Sequence, residues 1–255
     1  MRFFTLYSGS GGNCAYLESD NAKILIDAGK SARRLTTALS EIGSSISEID
    51  AIFITHDHAD HTSALEMLSK KHDIPIHVTE KSAEIFEGKR YDAVRKNLVV
   101  HQPLFEAQVG DVTVRSFVTP HDSRMSVGYR FDMDGTSIGL ATDLGYVSDS
   151  VSDALLGCRA VMLESNHDIE MLKYGPYPRF LKERILSRRG HLSNPDSALF
   201  ASRLAAAGTR SFLLAHLSAE NNSPNTALDE FLSAVPDPEI HVAVADAERP
   251  TELYL

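Results

Sequence analysis

Short apolar runs broken by small polar residues open the chain. Residues 3–7, 14–18 and 23–27 read as a meander of strands. A helical stretch follows, with Leu35, Leu39 and Ile42 spaced to share one face. Residues 51–55 form a buried strand that runs straight into His56. The 62–72 segment has helical spacing with Leu65 and Leu68 inward, and 75–78 is a brief strand. The middle returns to strands at 112–118, 126–133 and 136–141. Asp134-Gly135 between the last two is a two-residue hairpin signal. A strand at 159–163 leads to helices at 179–187 and 195–207, the second with Asn194 as N-cap and Pro195 in its first turn. A strand at 211–215, a helix at 223–235 and a strand at 241–245 complete the pattern. No Pro/Gly/Ser-rich linker divides these runs. The expectation is therefore one α/β domain over residues 1–255, with two sheets sandwiched between helices.

Composition narrows the class. The chain has 255 residues, 43% hydrophobic and 24% charged, enough to bury a core without staples and far from disordered or fibrous compositions. No apolar run approaches the ~20 residues of a membrane span. The first residues turn polar too soon for a signal peptide. Two cysteines, Cys14 and Cys158, cannot build a disulfide framework, so a reducing cytoplasm is expected. The net charge of −10 argues against a nucleic-acid partner until its distribution is examined. Residues 216–255 hold eight acids and one arginine, whereas 179–189 carry five positive charges and one negative. A local basic face is compatible with an acidic whole.

The chemistry concentrates in His56-Asp57-His58-Ala59-Asp60-His61 at the exit of a strand. With 11 histidines in the chain, three within six positions are an improbable accident. His56 and His58 are two apart, so an extended segment points both to one side, while Asp60 and His61 follow a turn and can face a second ion. Imidazole and carboxylate suit zinc, manganese or iron. His121, Asp143 and His216 each end a different apolar strand. Together these four strand ends supply seven ligands, enough for two ions with Asp143 between them.

The order His-x-His-x-Asp-His, then a distant His, Asp and His, resembles the metallo-β-lactamase fold superfamily across nearly the whole chain. The resemblance implies a four-layer αββα sandwich with metals at the sheet edge. It implies that His56, His58 and His121 bind one ion, that Asp60, His61 and His216 bind the other, and that Asp143 bridges. Ser8-Gly9-Ser10-Gly11-Gly12-Asn13-Cys14, Thr142-Asp143-Leu144-Gly145-Tyr146, Leu163-Glu164-Ser165-Asn166-His167-Asp168, Gly175-Pro176-Tyr177-Pro178, Gly190-His191-Leu192-Ser193-Asn194 and His216-Leu217-Ser218-Ala219-Glu220-Asn221-Asn222 follow in order. That set is similar to the YycJ/WalJ-type bacterial hydrolases, with Gly11 where a serine is more usual. The implied activity is phosphodiester hydrolysis, as a 5′→3′ exonuclease on double-stranded DNA. The implied cofactors are two divalent ions, Zn²⁺ or Mn²⁺ first, with Fe²⁺ and Mg²⁺ as further candidates. A thioester or lactone hydrolase of the same fold and a non-catalytic accessory protein are the alternatives. The latter is disfavoured by the intact ligand set.

Asp60 and His191 are the candidate catalytic residues. His191 precedes a helix N-terminus, a natural anion site, and a phosphodiesterase needs an acid for the departing oxygen. Glu164 and His167 are candidates to orient it or to line the cleft. Candidate substrate contacts are Ser10, Asn13, Asn166, His167, Arg184 and Arg188. His72, His77, His101 and His241 read as structural. With aromatics at 7% and no tryptophan, backbone recognition of a duplex suits the chain better than base readout.

Overall fold

The computed structural model describes all residues from Met1 to Leu255. Strands β1 (Arg2–Tyr7), β2 (Cys14–Glu18), β3 (Lys23–Ile26), β4 (Ala51–Phe53), β5 (Ile76–Thr79) and β6 (Leu98–His101) build one sheet. Strands β7 (Glu106–Val109), β8 (Val112–Val118), β9 (Val127–Met133), β10 (Thr136–Ala141), β11 (Ala160–Glu164), β12 (Ser211–Ala215) and β13 (His241–Val244) build the second. The last strand, β14 (Thr251–Leu253), returns to pair antiparallel with β1. The sheet orders are β14-β1-β2-β3-β4-β5-β6 and β13-β12-β11-β10-β9-β8-β7. Helices α1 (Ala32–Glu41), α2 (Ala59–Thr62), α3 (Leu65–Ser69), α4 (Glu80–Ala83) and α5 (Asp92–Asn97) belong to the first half. Helices α6 (Asp149–Leu155), α7 (Ile169–Tyr174), α8 (Arg179–Ile185), α9 (Asn194–Ala206) and α10 (Pro224–Ala234) belong to the second.

Alternation along the strands sorts side chains into three apolar layers. Phe3, Leu17, Ile24 and Phe53 from one sheet meet Val114, Tyr129, Phe131 and Leu213 from the other in the middle layer. Leu25, Ile52, Ile54 and Val78 turn outward onto Leu35, Leu39, Leu65 and Leu68. Val161, Leu163, Phe212 and Leu214 face Leu155, Phe200, Leu204 and Phe231 on the other side. The result is the helix–sheet–sheet–helix sandwich that the pattern implies.

Parallel pairing positions the site. β3 and β4 run parallel, as do β10, β11 and β12; β8 is antiparallel to β9, which is antiparallel to β10. The carboxyl ends of these strands therefore open at one edge of the sandwich. Three of the residues leaving them, Asp27, Asp143 and His216, adopt positive φ (62°, 59° and 57°), a left-handed conformation that Asp and His tolerate better than most residues. It ends each strand abruptly and leaves a polar side chain at the rim.

Several boundaries differ from the sequence reading, each for a local reason. The N-cap of α9 is Ser193, whose side chain accepts from the Asp196 N–H, and not Asn194, which is the first helical residue. Asn194 is buried, paired with Ser165 and Asn222. The helix expected over 62–72 is interrupted between α2 and α3, where Ala64 N donates to the Ala28 carbonyl. The buried strand at 51–55 pairs only to Phe53. Edge strands β6 and β7, short and half exposed, lack the apolar signal that marks the central strands. Asp134 and Gly135 both take positive φ (45° and 75°) in the hairpin foreseen there. No helix is long and apolar enough to cross a membrane.

Candidate metal centre

The seven residues proposed as ligands from sequence come together in one cluster. Three loops bring the first half: residues 8–13, 27–31 and 56–61. Gly29 sits where they meet, and a Cβ there would lie 1.6 Å from the Asp60 carbonyl oxygen and 2.5 Å from the Asn13 nitrogen. Only glycine lets the loops approach so closely. His58 is the N-terminal boundary residue of α2, so the chain is extended through His58 and helical from Ala59. That switch aims His56 and His58 together, with ring centroids 4.6 Å apart, and sends Asp60 and His61 to the neighbouring position. Potential ligand atoms of His56, His58 and His121 lie within 4.8 Å of one another. The same holds for His56, His61 and Asp143, and for Asp60, His61 and His216.

Each ring is oriented from behind. Asp27, buried at the end of β3, sits 2.7 Å from His61 Nδ1 and also accepts from the Thr55 N–H and hydroxyl. It fixes the tautomer of His61, so Nε2 faces the cluster. His121 Nδ1 donates to the Gly190 carbonyl (3.2 Å), leaving Nε2 3.5 Å from Asp143. Glu164, the fully buried last residue of β11, takes the Nδ1–H of both His191 and His216 at 2.8 Å each. It also accepts from the backbone N–H groups of Leu144 and Leu192. Burial would raise the Glu164 carboxyl, but His191 and His216 hold it down at about 2. It is therefore an acceptor for both imidazoles. Burial likewise opposes charging of His216, yet Asp143 and Glu164 lift it to about 10. His61 is lifted against burial to about 9 by Asp27 and Asp143. His56 goes the other way: burial, then His61, push it well below its usual value. Asp143 is held well below the ordinary carboxylate range, with His216 and His61 outweighing its burial.

Three buried atoms at the centre, His56 Nε2, Asp143 Oδ2 and His216 Nε2, have no hydrogen-bond partner in the protein. Enclosing such atoms without a partner is costly. A divalent cation accepts electron pairs from imidazole nitrogen and carboxylate oxygen alike, so the donor set fits a divalent metal centre.

The candidate substrate contacts divide into two groups. Ser10, Asn166 and Arg184 line the cleft beside His191 and His216, a cavity of about 190 Å³. Arg188 lines a second cavity of about 380 Å³ next to His121, its guanidinium 4.0 Å above the Tyr146 ring. Asn13 and His167 line neither of these cavities and are buried, as Asn166 also is. Asn13 links the glycine loop to the cluster, accepting from Gly9 N and reaching His61 Nε2 at 3.0 Å. His167 has both ring nitrogens enclosed without a partner, and burial pushes it down to about 4. Along 179–189 the cations differ in use. Arg179 pairs with Glu183, Arg184 with Asp122, and Arg189 donates to the carbonyls of His121 and Ser123. Asp27 is the supporting residue the sequence reading passed over, although it too is a polar residue ending an apolar strand. His77 and His101, read as structural from sequence, are 3.0 Å apart.

This sandwich and cluster define a metal-dependent hydrolase of the metallo-β-lactamase type. Residues 22–217 match the family model described as the beta-lactamase superfamily domain. The chain belongs to that superfamily and, within it, to the family of the exodeoxyribonucleases WalJ and YycJ. It is 38% identical to exodeoxyribonuclease WalJ of Streptococcus pneumoniae, covering 87% of this chain and 83% of that one. It is 35% identical to exodeoxyribonuclease YycJ of Bacillus anthracis, covering 89% and 86%. Among solved structures, the metallo-β-lactamase fold protein YhfI of Bacillus subtilis superposes with a TM-score of 0.73 at 17% identity, over 99% of this chain and 100% of that one.

Proposed function

We propose that residues 1–255 act as one domain, a dinuclear metal-dependent phosphodiesterase that removes nucleotides 5′→3′ from duplex DNA. In this reading His56, His58 and His121 hold one divalent ion, Asp60, His61 and His216 hold the other, and Asp143 serves both. Zn²⁺ and Mn²⁺ suit such a donor set best. Bound there, the ions supply Lewis-acid polarisation of the phosphodiester and a water nucleophile at neutral pH. Asp60, partly exposed at the rim of the cluster, positions the attacking water as well as serving as a ligand. Arg184 and Arg188 take backbone phosphates, and Ser10 and Asn166 border the scissile group. Asn13 acts from behind through its side chain, and His167 through its backbone carbonyl, which accepts from Asn194 N–H. Two buried free cysteines suit a reducing cytoplasm.

The observation that carries the reading is the pose of His191. Its Nδ1 is anchored on an ionised, buried Glu164, while the ring edge reaches the cleft. With Nδ1–H donating to that carboxylate, Nε2 is the ring nitrogen left to serve a leaving alkoxide, the need peculiar to cleaving a sugar–phosphate bond. The names of the 38% and 35% identical relatives support DNA as the substrate. A panel of 5′-phosphorylated duplex, single strand, RNA, bis-p-nitrophenyl phosphate and a thioester, each with Mn²⁺, Mg²⁺ and Zn²⁺, tests it. The expected result is release of nucleotides from the duplex, abolished by chelator. Thioester turnover with every nucleic acid left intact would overturn it.

A further inference from the structure

Gly175-Pro176-Tyr177-Pro178 joins α7 to α8 at the mouth of the cleft, and the chemistry above makes no use of it. The turn is built to be rigid. Pro176 and Pro178 fix their own φ and hold the residues before them extended. Gly175 is accordingly extended (φ −68°, ψ 176°). A Cβ on it would lie 2.5 Å from the Met171 carbonyl oxygen and 2.6 Å from Asn221 Oδ1, so glycine lets the turn seat against the loop after His216. The Lys182 ammonium donates to the carbonyls of Lys173 and Gly175, at 2.8 Å each, which ties the turn to α8. Tyr177 stands on this mount and lines the cleft with Ser10, Asn166, Arg184, His191 and His216. The tyrosines of the first sheet, Tyr7 and Tyr16, are buried with their hydroxyls bonded inside the fold. Tyr177 instead is half-buried and lines the cleft. The same hairpin carries Tyr174 (79% exposed) and Phe180 (72%), two of the three exposed aromatic residues in the chain.

We propose that Tyr177 stacks on the base of the nucleotide being removed. The inference rests on the nuclease reading and adds how the terminal nucleotide is held. The cleft offers a flat π surface, a guanidinium and the acid His191 together, which matches a ring attached to a phosphate. Its volume of about 190 Å³ is below the roughly 300 Å³ at which pockets enclosing drug-sized ligands begin, so it takes a flat group at a chain end. Stacking uses the face that every base shares, as removal of successive nucleotides of any sequence requires. A ring already fixed by two prolines loses little freedom on binding. One of the few aromatics in the composition is therefore placed where a single base must be gripped.

The test compares a blunt 5′-phosphorylated duplex with one whose 5′-terminal nucleotide is abasic, leaving every phosphate in place. Wild type should show a KM lower on the natural duplex by about 5- to 150-fold, the range of one base–aromatic stack. Tyr177→Ala should raise KM on the natural duplex by that factor, leave kcat nearly unchanged and leave the abasic duplex unaffected. Tyr177→Phe should behave as wild type. Tyr177→Leu, which keeps bulk without a π face, should match the alanine variant and guards against a disturbed turn. Equal losses on both duplexes, or a wild type that does not distinguish them, would overturn the stacking role alone. A wild type that cleaves neither duplex would overturn the nuclease reading together with it.

Discussion

Two histidines separated by 25 positions share one carboxylate, and that sharing defines the division of labour at the residue scale. Glu164 holds His191 and His216 by the same atom at the same distance. His216 leaves its strand with its Nε2 enclosed and unpartnered, whereas the His191 side chain is 18% exposed. In the proposed reading the first holds an ion and the second meets the substrate. His216→Ala should therefore lose bound metal, and His191→Ala should keep it. On DNA, His191→Ala should lose the roughly 10²–10⁴-fold typical of acid–base help. It should lose much less on bis-p-nitrophenyl phosphate, whose leaving group needs no proton. Metal analysis and paired rate measurements check both, and an ion lost from His191→Ala would reverse the roles. The seven residues of the cluster were legible because His56–His61 is unusually dense in His and Asp, and because His121, Asp143 and His216 are polar residues ending apolar strands. Asp27 carries the same mark, but without a histidine beside it in sequence nothing showed that it faces His61. The partnership is purely tertiary, made by parallel pairing of β3 with β4.

At the scale of elements, the basic run at 179–189 resolves into parts with different work. Arg179 and Glu183 form an exposed i,i+4 pair on α8, an ordinary solvated contact. Arg189 braces the His121 loop through its carbonyls. Arg184, paired with Asp122, lines the cleft, and Arg188 stacks over Tyr146; in the proposed reading these two face the nucleic acid. Neutralising these two should flatten the salt dependence of duplex binding by about 0.9 per lost phosphate contact in the log–log slope; an unchanged slope would return them to the solvated surface. Sequence counts the charges on such a segment but not their partners, because Asp122 and the 121–123 carbonyls come from a loop some 60 residues earlier.

The edge of the first sheet makes a second point at this scale. His77 on β5 stacks on Phe53 at 4.3 Å, and His101 on β6 stacks on Phe105 at 3.9 Å. Burial, then His101, lower His77 to about 4. The native ring stays neutral while the unfolded one takes a proton near pH 6.5. The unfolded state thus binds more protons between about pH 6.5 and 4, and stability falls as pH falls through that window. His77→Phe should make the decline of Tm over this window shallower. A decline as steep as in wild type would mean that the pair contributes nothing to acid sensitivity.

Taken as a whole molecule, the two-sheet sandwich was readable because its central strands are uniformly apolar and its signature loops fall between them. What escaped was the periphery: β6, β7 and β14 at sheet edges, and α6 and α7 on the outside. Each is short and half exposed, so burial does not impress a period on the sequence. Charge is also a property of the whole. Of the acids in the last 40 residues, Glu248 pairs with Lys30 and Arg34 on the flank beside the glycine loop. Arg184 and Arg188 remain on the side of the cleft formed by α8 and the turn after it.

The most direct measurement is the number of divalent ions bound per chain, taken by elemental analysis of protein purified without chelator and then saturated with Mn²⁺ or Zn²⁺. Seven ligand residues from four strand ends predict two ions per chain, with Asp143→Ala losing both the second ion and activity. Occupancy that stays at one ion per chain under saturating metal would contradict the dinuclear centre.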